Sequence, residues 1–218
     1  MSRFPLSLCL HSARTTRWRD QLIVDTGEGR KGYQIRRMAP WLRAEVGRIY
    51  QASDILKPPS VVLTESVPDL VAFATPGLIV LGHREITELA NQVCREQFSP
   101  VDPYTLARGE PGPVVSVEDI YYGTWRFVIA HEMGHIVQFA EDAPGSRLEL
   151  EMDADHFAGR IAELLGWNPA IDQAVARTVG CDEHHCRWAY QSPHGRSKTY
   201  AEGRRFQARA DRPRPPRW

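Results

Sequence analysis

The stretch Trp125-Arg126-Phe127-Val128-Ile129-Ala130-His131-Glu132-Met133-Gly134-His135-Ile136-Val137 constrains this chain more than any other. It is apolar enough to be a buried helix, yet it carries two histidines and a glutamate around a glycine. Burying such groups is unfavourable unless something pairs with them. On a helix, positions four apart share a face, so His131 and His135 can grip one ion together. Glu132 leans toward the same open side, within reach of a water on that ion. Gly134 costs ~1 kcal/mol relative to Ala inside a helix. A tolerated cost of that kind marks the close approach of another element.

Ser116 before Val117-Glu118-Asp119 is a good N-cap with acids in the first turn, and predicts a helix from there to about Phe139. Ala143-Pro144-Gly145 breaks it. Ser146 caps the next helix, which runs to Leu165 and closes with Gly166. An ion on His131 and His135 needs a third ligand. In the extended pattern H-E-x-x-H-x-x-G-x-x-H that ligand follows six residues after the second histidine. Here that position is Glu141, and Gln138 replaces the glycine, so the chain cannot easily turn back under the metal.

The second helix is better placed. It carries the pairs Glu149/Asp153 and Glu151/Asp155, separated by helical phase. Glu149 and Asp153 share a solvated stripe with His156, Arg160 and Glu163. Glu151 and Asp155 share a packing stripe with Leu148, Ala158 and Ala162. A carboxylate pair on a packing face needs partners. Glu151 on the metal, with Asp155 orienting a ligand histidine from behind, satisfies both. The alternative is a helix–helix salt bridge, with Arg126 as a candidate. The first reading expects one Zn²⁺ per chain on His131, His135 and Glu151. Zinc lowers the pKa of its bound water toward ~7. Glu132 would take the proton and pass it to a leaving amine.

Around this core, 218 residues suit one domain that needs no disulfide staples. Gln21–Asp25 and Tyr33–Arg37 flank a glycine cluster and predict a hairpin. That cluster, Gly27-x-Gly29-x-x-Gly32, formally matches a dinucleotide fingerprint, but no helix starts there, so it reads as a loop. Pro40 opens a helix expected to reach about Leu56. Short β runs follow at 61–64, 70–73 and 78–81, then a helix from Arg84 to Glu96. Residues 98–115 read as a long loop, and Asn168-Pro169 starts another short helix.

Lys plus Arg equals Asp plus Glu, 27 each, so charge offers no case for nucleic acid. No apolar run reaches the ~18 residues of an integral membrane span. The run Phe4–Leu10 is too short and interrupted for a secretory leader, which points to a soluble, cytoplasmic protein. The basic, proline-rich tail 201–218 reads as disordered and is a candidate contact for an acidic partner. Cys181-Asp182-Glu183-His184-His185-Cys186 lacks standard zinc spacing; a disulfide or free thiols fit it better than a metal knuckle.

The two metal helices, Val128–His135 and Glu151-Met152-Asp153-Ala154-Asp155-His156-Phe157-Ala158-Gly159, resemble the gluzincin peptidases of the HtpX and CAAX prenyl protease type. They are also similar to a family of bacterial neutral zinc metallopeptidases. Val71–Val80 resembles those families' cleft strand, with Val71 and Leu78 replacing the usual Asn and Gly. The resemblance implies that Ala72, Phe73 and Ala74 pair with extended substrate. Ser192-Pro193-His194-Gly195-Arg196-Ser197 is similar to a histidine-bearing segment, which implies His194 as a stabiliser of the oxyanion, with an ordinary loop histidine as the alternative.

The resulting expectation is an α+β, zincin-like fold with a small antiparallel sheet beside the HExxH helix and the Glu-ligand helix. Residues 1–37 form an N-terminal extension with a hairpin, 38–200 the metallopeptidase domain and 201–218 the tail. The expected activity is zinc-dependent endopeptidase cleavage of a polypeptide substrate. The alternatives are a non-catalytic zinc-stabilised binding module and an effector protease of narrow specificity.

Overall fold

Ser116 starts the longest helix for a reason visible in its own bonds. Its Oγ accepts from the Asp119 amide at 3.0 Å, and Asp119 Oδ2 accepts from the Ser116 amide at 3.3 Å. This reciprocal cap satisfies two N–H groups that a helix start leaves orphaned. Ser146 and Glu149 repeat the arrangement one helix later. The computed structural model describes residues 14–26, 29–68, 70–97, 115–179 and 193–210. In chain order its elements are β1 (Arg14–Trp18), β2 (Gln21–Thr26), β3 (Gly29–Gln34), α1 (Pro40–Ala52), β4 (Ser60–Thr64), β5 (Ala72–Thr75), β6 (Leu78–Gly82) and α2 (His83–Gln97). Then come α3 (Val117–Glu141), α4 (Arg147–Leu164), α5 (Pro169–Val179) and α6 (Pro193–Ala210). No helix among the described residues is long and apolar enough to cross a membrane.

The strands make two three-stranded sheets. β1-β2-β3 is antiparallel, with the expected hairpin as its β2–β3 pair. β1 is exposed throughout, and its sequence RTTRW has no apolar alternation to mark it. The second sheet runs β4-β6-β5 and corrects the expectation of a wholly antiparallel sheet: β5 and β6 are antiparallel, but β4 and β6 are parallel. The tight turn at Pro76-Gly77, with Gly77 at φ 77°, folds β6 back against β5 and into the sheet centre. β4 then meets β6 from the other side, running in the same direction. β6 is buried along its whole length, as an unbroken Leu-Ile-Val-Leu run requires. Backbone bonds from Arg36 to Leu63 and from Glu65 to Gln34 tie the two sheets together.

Leu22, Val24 and Tyr33 of the first sheet pack on Phe73, Leu78 and Val80 of the second. The larger core lies between the opposite face of the mixed sheet and the helices, with Trp125, Phe127 and Ile129 of α3 at its centre. α1 ends at Ala52, short of the expected Leu56, because Asp54 takes a left-handed conformation at φ 55°.

Helix α6 corrects the tail boundary. Residues 201–210, expected to begin a disordered tail, are its second half. Its buried side lacks the apolar stripe that announces a helix; Arg196, Tyr200, Gly203 and Gln207 form it instead. α6 packs on α4 so closely that a Cβ on Gly159 would sit 2.1 Å from the Tyr200 carbonyl oxygen. One on Gly203 would sit 2.0 Å from the His156 carbonyl oxygen. At the other end of this interface Asp172 of α5 is buried. Its Oδ2 accepts from Tyr200 Oη at 2.7 Å and from Arg204 Nη1 at 3.2 Å. Burial pushes the Asp172 carboxyl up to about 7, against the opposing pull of Tyr200, Arg204 and Arg126.

Two predictions follow from this packing. Gly159→Ala and Gly203→Ala each force backbone apart, and are expected to cost about 1–3 kcal/mol or more in urea unfolding. Gly47→Ala in α1, where a Cβ meets nothing within 4 Å, is expected to gain up to about 1 kcal/mol. For Asp172, the folded pKa lies above the unfolded one, so the native state binds the extra proton between pH ~4 and ~7. Wild-type stability should therefore fall across that window relative to Asp172→Asn, by on the order of a few kcal/mol. Parallel pH profiles for the two proteins would refute this.

Candidate metal centre

The site forms where α3 and α4 cross. Gly134 makes the crossing possible: a Cβ there would lie 2.8 Å from the Ala154 Cα. The glycine thus does mark a close approach, and the approaching element is the carboxylate helix. His131 and His135 project from one side of α3, fully buried, with their Nε2 atoms 3.2 Å apart. From α4, Glu151 brings Oε2 to 3.3 Å from His131 Nε2 and Oε1 to 3.6 Å from His135 Nε2. Ligand atoms from His131, His135 and Glu151 all lie within 4.8 Å of one another.

The far side of each imidazole decides its tautomer. His131 Nδ1 donates to Asp155 Oδ1 at 2.8 Å. His135 Nδ1 lies 2.7 Å from Gln138 Oε1, while Gln138 Nε2 donates to the Leu150 carbonyl at 2.6 Å. A carbonyl can only accept, so the amide orientation is settled, Oε1 faces the imidazole and Nδ1 donates. Both Nε2 atoms therefore turn their lone pairs toward each other and toward a carboxylate. Three converging acceptors demand a cation or a proton among them. Burial works to lower the His131 pKa, but the hydrogen bonds to Asp155 and Glu151 outweigh it and raise it. Burial likewise works to raise Glu151, and the two histidines hold it well below the usual carboxylate range.

Glu132 is different. It is fully buried, and neither of its carboxylate oxygens has a hydrogen-bond partner among the described residues. Burial pushes it up to about 7, with His135 and His131 pulling the other way. A buried carboxylate with nothing to bind is costly unless the site takes a further group. The charges agree. With Glu132 ionised and both imidazoles neutral, Glu132, Glu151 and Asp155 would set three negative charges against one positive charge on buried Arg196, the imbalance of two that a divalent cation cancels. The donor set, two imidazoles and a carboxylate, suits zinc.

Two residues here escaped the sequence reading. Gln138 stood out only as a missing glycine, yet it braces His135 as Asp155 braces His131. Arg196, 1% exposed, reaches in from α6: Nε donates to Asp155 Oδ2 at 2.7 Å, and Nη2 donates to Asp155 Oδ1 at 3.0 Å and to Glu151 Oε2 at 3.2 Å. The alternative partner, Arg126, instead pairs with Glu45 of α1 at 3.1 Å. Glu149 and Asp153 face solvent as their phase requires, but Leu148, expected on the packing face, is 39% exposed, and Leu150 is buried instead. Glu141 ends α3 in solvent, apart from the cluster.

Ala72, Phe73 and Ala74 lie in β5, at one edge of the mixed sheet beside α3, and all three are buried. His194 falls in the first turn of α6 rather than in a loop; its side chain lies outside the described residues. So do the Cys181–Cys186 cluster, the 98–114 part of the long loop, the Gly27 turn, Phe4–Leu10 and residues 211–218. A cavity of about 900 Å³ opens on another side of α3, lined by Ile136, Val137 and Ala140 with Phe157 and Leu164, and does not include the metal-site cluster.

This geometry separates the two α4 carboxylate pairs by experiment. Glu151→Ala is expected to abolish stoichiometric zinc binding in metal analysis of the purified protein, while Glu149→Ala, which removes only an exposed cap, retains it. Loss in the second variant alone would reverse the assignment.

The model of peptidase family M48 matches residues 36–140. That span runs from the end of the first sheet through His131, Glu132 and His135, and stops before α4. No curated protein and no solved structure matches the chain. The chain is thus similar to the metallopeptidases of family M48 over just under half of its length, a stretch that holds His131, Glu132 and His135 but not Glu151.

Proposed function

We propose that this chain is a zinc-dependent endopeptidase in which His131, His135 and Glu151 hold the ion and Glu132 is the general base. The observation that carries the catalytic half of this reading is the orphaned Glu132 carboxylate. A zinc site that only staples two helices has no use for a third buried acid next to its ligands, beyond the ligand Glu151 and the bracing Asp155. A hydrolase needs one, to move a proton at the moment of attack.

Zinc, when bound, supplies a Lewis acid that polarises the scissile carbonyl and lowers the pKa of a coordinated water toward ~7. Glu132 accepts the proton from the attacking water and delivers it to the departing amine. Asp155 and Gln138 keep His131 and His135 in the tautomers that turn the Nε2 lone pairs toward Glu151. His194, at the start of α6, is assigned as the donor to the oxyanion. Extended polypeptide pairs along β5 at Ala72, Phe73 and Ala74. Those residues are buried, so this pairing requires local opening of that edge.

Glu132→Gln is expected to keep one zinc per chain and to lose about 10²–10⁴-fold in cleavage of a denatured, fluorescently labelled protein. Wild-type cleavage should stop on chelation and return with zinc. Full activity in Glu132→Gln would exclude Glu132 as the base. A wild-type protein that binds zinc and cleaves nothing would favour the non-catalytic module.

A further inference from the structure

We infer that Arg196 is a positioning residue of the metal centre, its guanidinium fixing Glu151 and Asp155 in the arrangement that holds the ion. This rests on the zinc reading above.

Glu151 and Asp155 lie one turn apart on the same buried face of α4, both at most 1% exposed. Like charges at that spacing repel, more strongly where water is excluded. Arg196 stands against both. Its planar fork meets both Asp155 oxygens, and Nη2 also reaches Glu151 Oε2. That geometry suits a guanidinium and not an ammonium, which offers no rigid parallel donors.

The consequence passes to the metal by two routes. Asp155 holds His131 Nδ1 with Oδ1, so whatever fixes Asp155 fixes the imidazole. Glu151 faces both imidazoles directly, so whatever holds its Oε2 sets where the carboxylate points. Two of the three groups the ion would see, His131 and Glu151, are therefore coupled to one side chain from a helix outside the metal-binding pair. Supporting residues of this kind change metal affinity when removed, even though they touch no metal.

A merely structural role, docking α6 on α4, is the competing account. That docking has other supports. Gly159 and Gly203 bring the backbones into contact, and Tyr200 bonds to Asp172. Arg204 bonds to Asp172, Glu163 and the Trp167 carbonyl. Arg204→Gln therefore weakens the same interface without touching a metal-site residue.

The test is zinc affinity, by competition with a chromophoric chelator, together with the melting temperature of each metal-free protein. Arg196→Gln is expected to bind zinc about 10–100-fold more weakly than wild type, with Arg196→Lys between the two. Arg204→Gln is expected to melt lower and keep wild-type affinity. Affinity within about twofold of wild type in Arg196→Gln overturns the proposal, as does an equal loss in Arg204→Gln. If Arg196→Gln does not fold, Arg196→Lys decides: weaker zinc binding at an unchanged metal-free melting temperature supports the role, and unchanged binding overturns it. A wild-type protein that binds no zinc overturns the zinc reading itself, whereas normal wild-type binding with no effect at Arg196 overturns only this inference.

Discussion

Six ionisable side chains, His131, Glu132, His135, Glu151, Asp155 and Arg196, are withdrawn from water inside an otherwise apolar assembly. The unfavourable desolvation of that cluster is the condition the surrounding structure has to meet. Each imidazole is satisfied on its outer nitrogen by a residue that can only accept there. Two of the three carboxylates meet a guanidinium. The third, Glu132, has no hydrogen-bond partner among the described residues, and it is the group proposed above as the general base. The pattern of satisfaction and its one exception support the proposed function more directly than the fold does.

Much of this was legible in the amino-acid sequence, because the signals are local. Ser116 and Ser146 cap α3 and α4 where their side chains predict, since a cap depends on residues three positions away. The i, i+4 spacing placed His131 beside His135, and helical phase chose Glu151 and Asp155 over Glu149 and Asp153. Gly134 announced a close neighbour before that neighbour was identifiable.

What escaped was non-local. Arg196 lies 45 residues from Glu151, on a helix whose buried side is an arginine, a tyrosine and a glycine rather than a stripe of leucines. Hydrophobic periodicity cannot find such a helix. Gln138 stands where the extended pattern has a glycine, and its role shows only against the imidazole one turn before it. The mixed sheet was missed because strand direction is set by the Pro76-Gly77 turn and by which edge β4 reaches, and neither shows in the strands' own composition. Resemblance points to His194, and nothing in the segment's own pattern points to Arg196 two positions on, whose contacts reach Asp155 and Glu151.

The helix that delivers Glu151 and Asp155 has almost no cushion on either flank. On one flank Ala154 abuts Gly134 of α3, and on the other Gly159 and Gly203 bring it against the backbone of α6. Side chains ordinarily absorb small displacements by changing rotamer, but backbone pressed on backbone has no such slack. α4 therefore behaves mechanically as a rigid shim between two plates. A shift of α6 relative to α3 would not be dissipated along the way; it would arrive at the two carboxylates as a translation of the whole helix. Precision at the centre of this protein is secured by the places where side chains are missing.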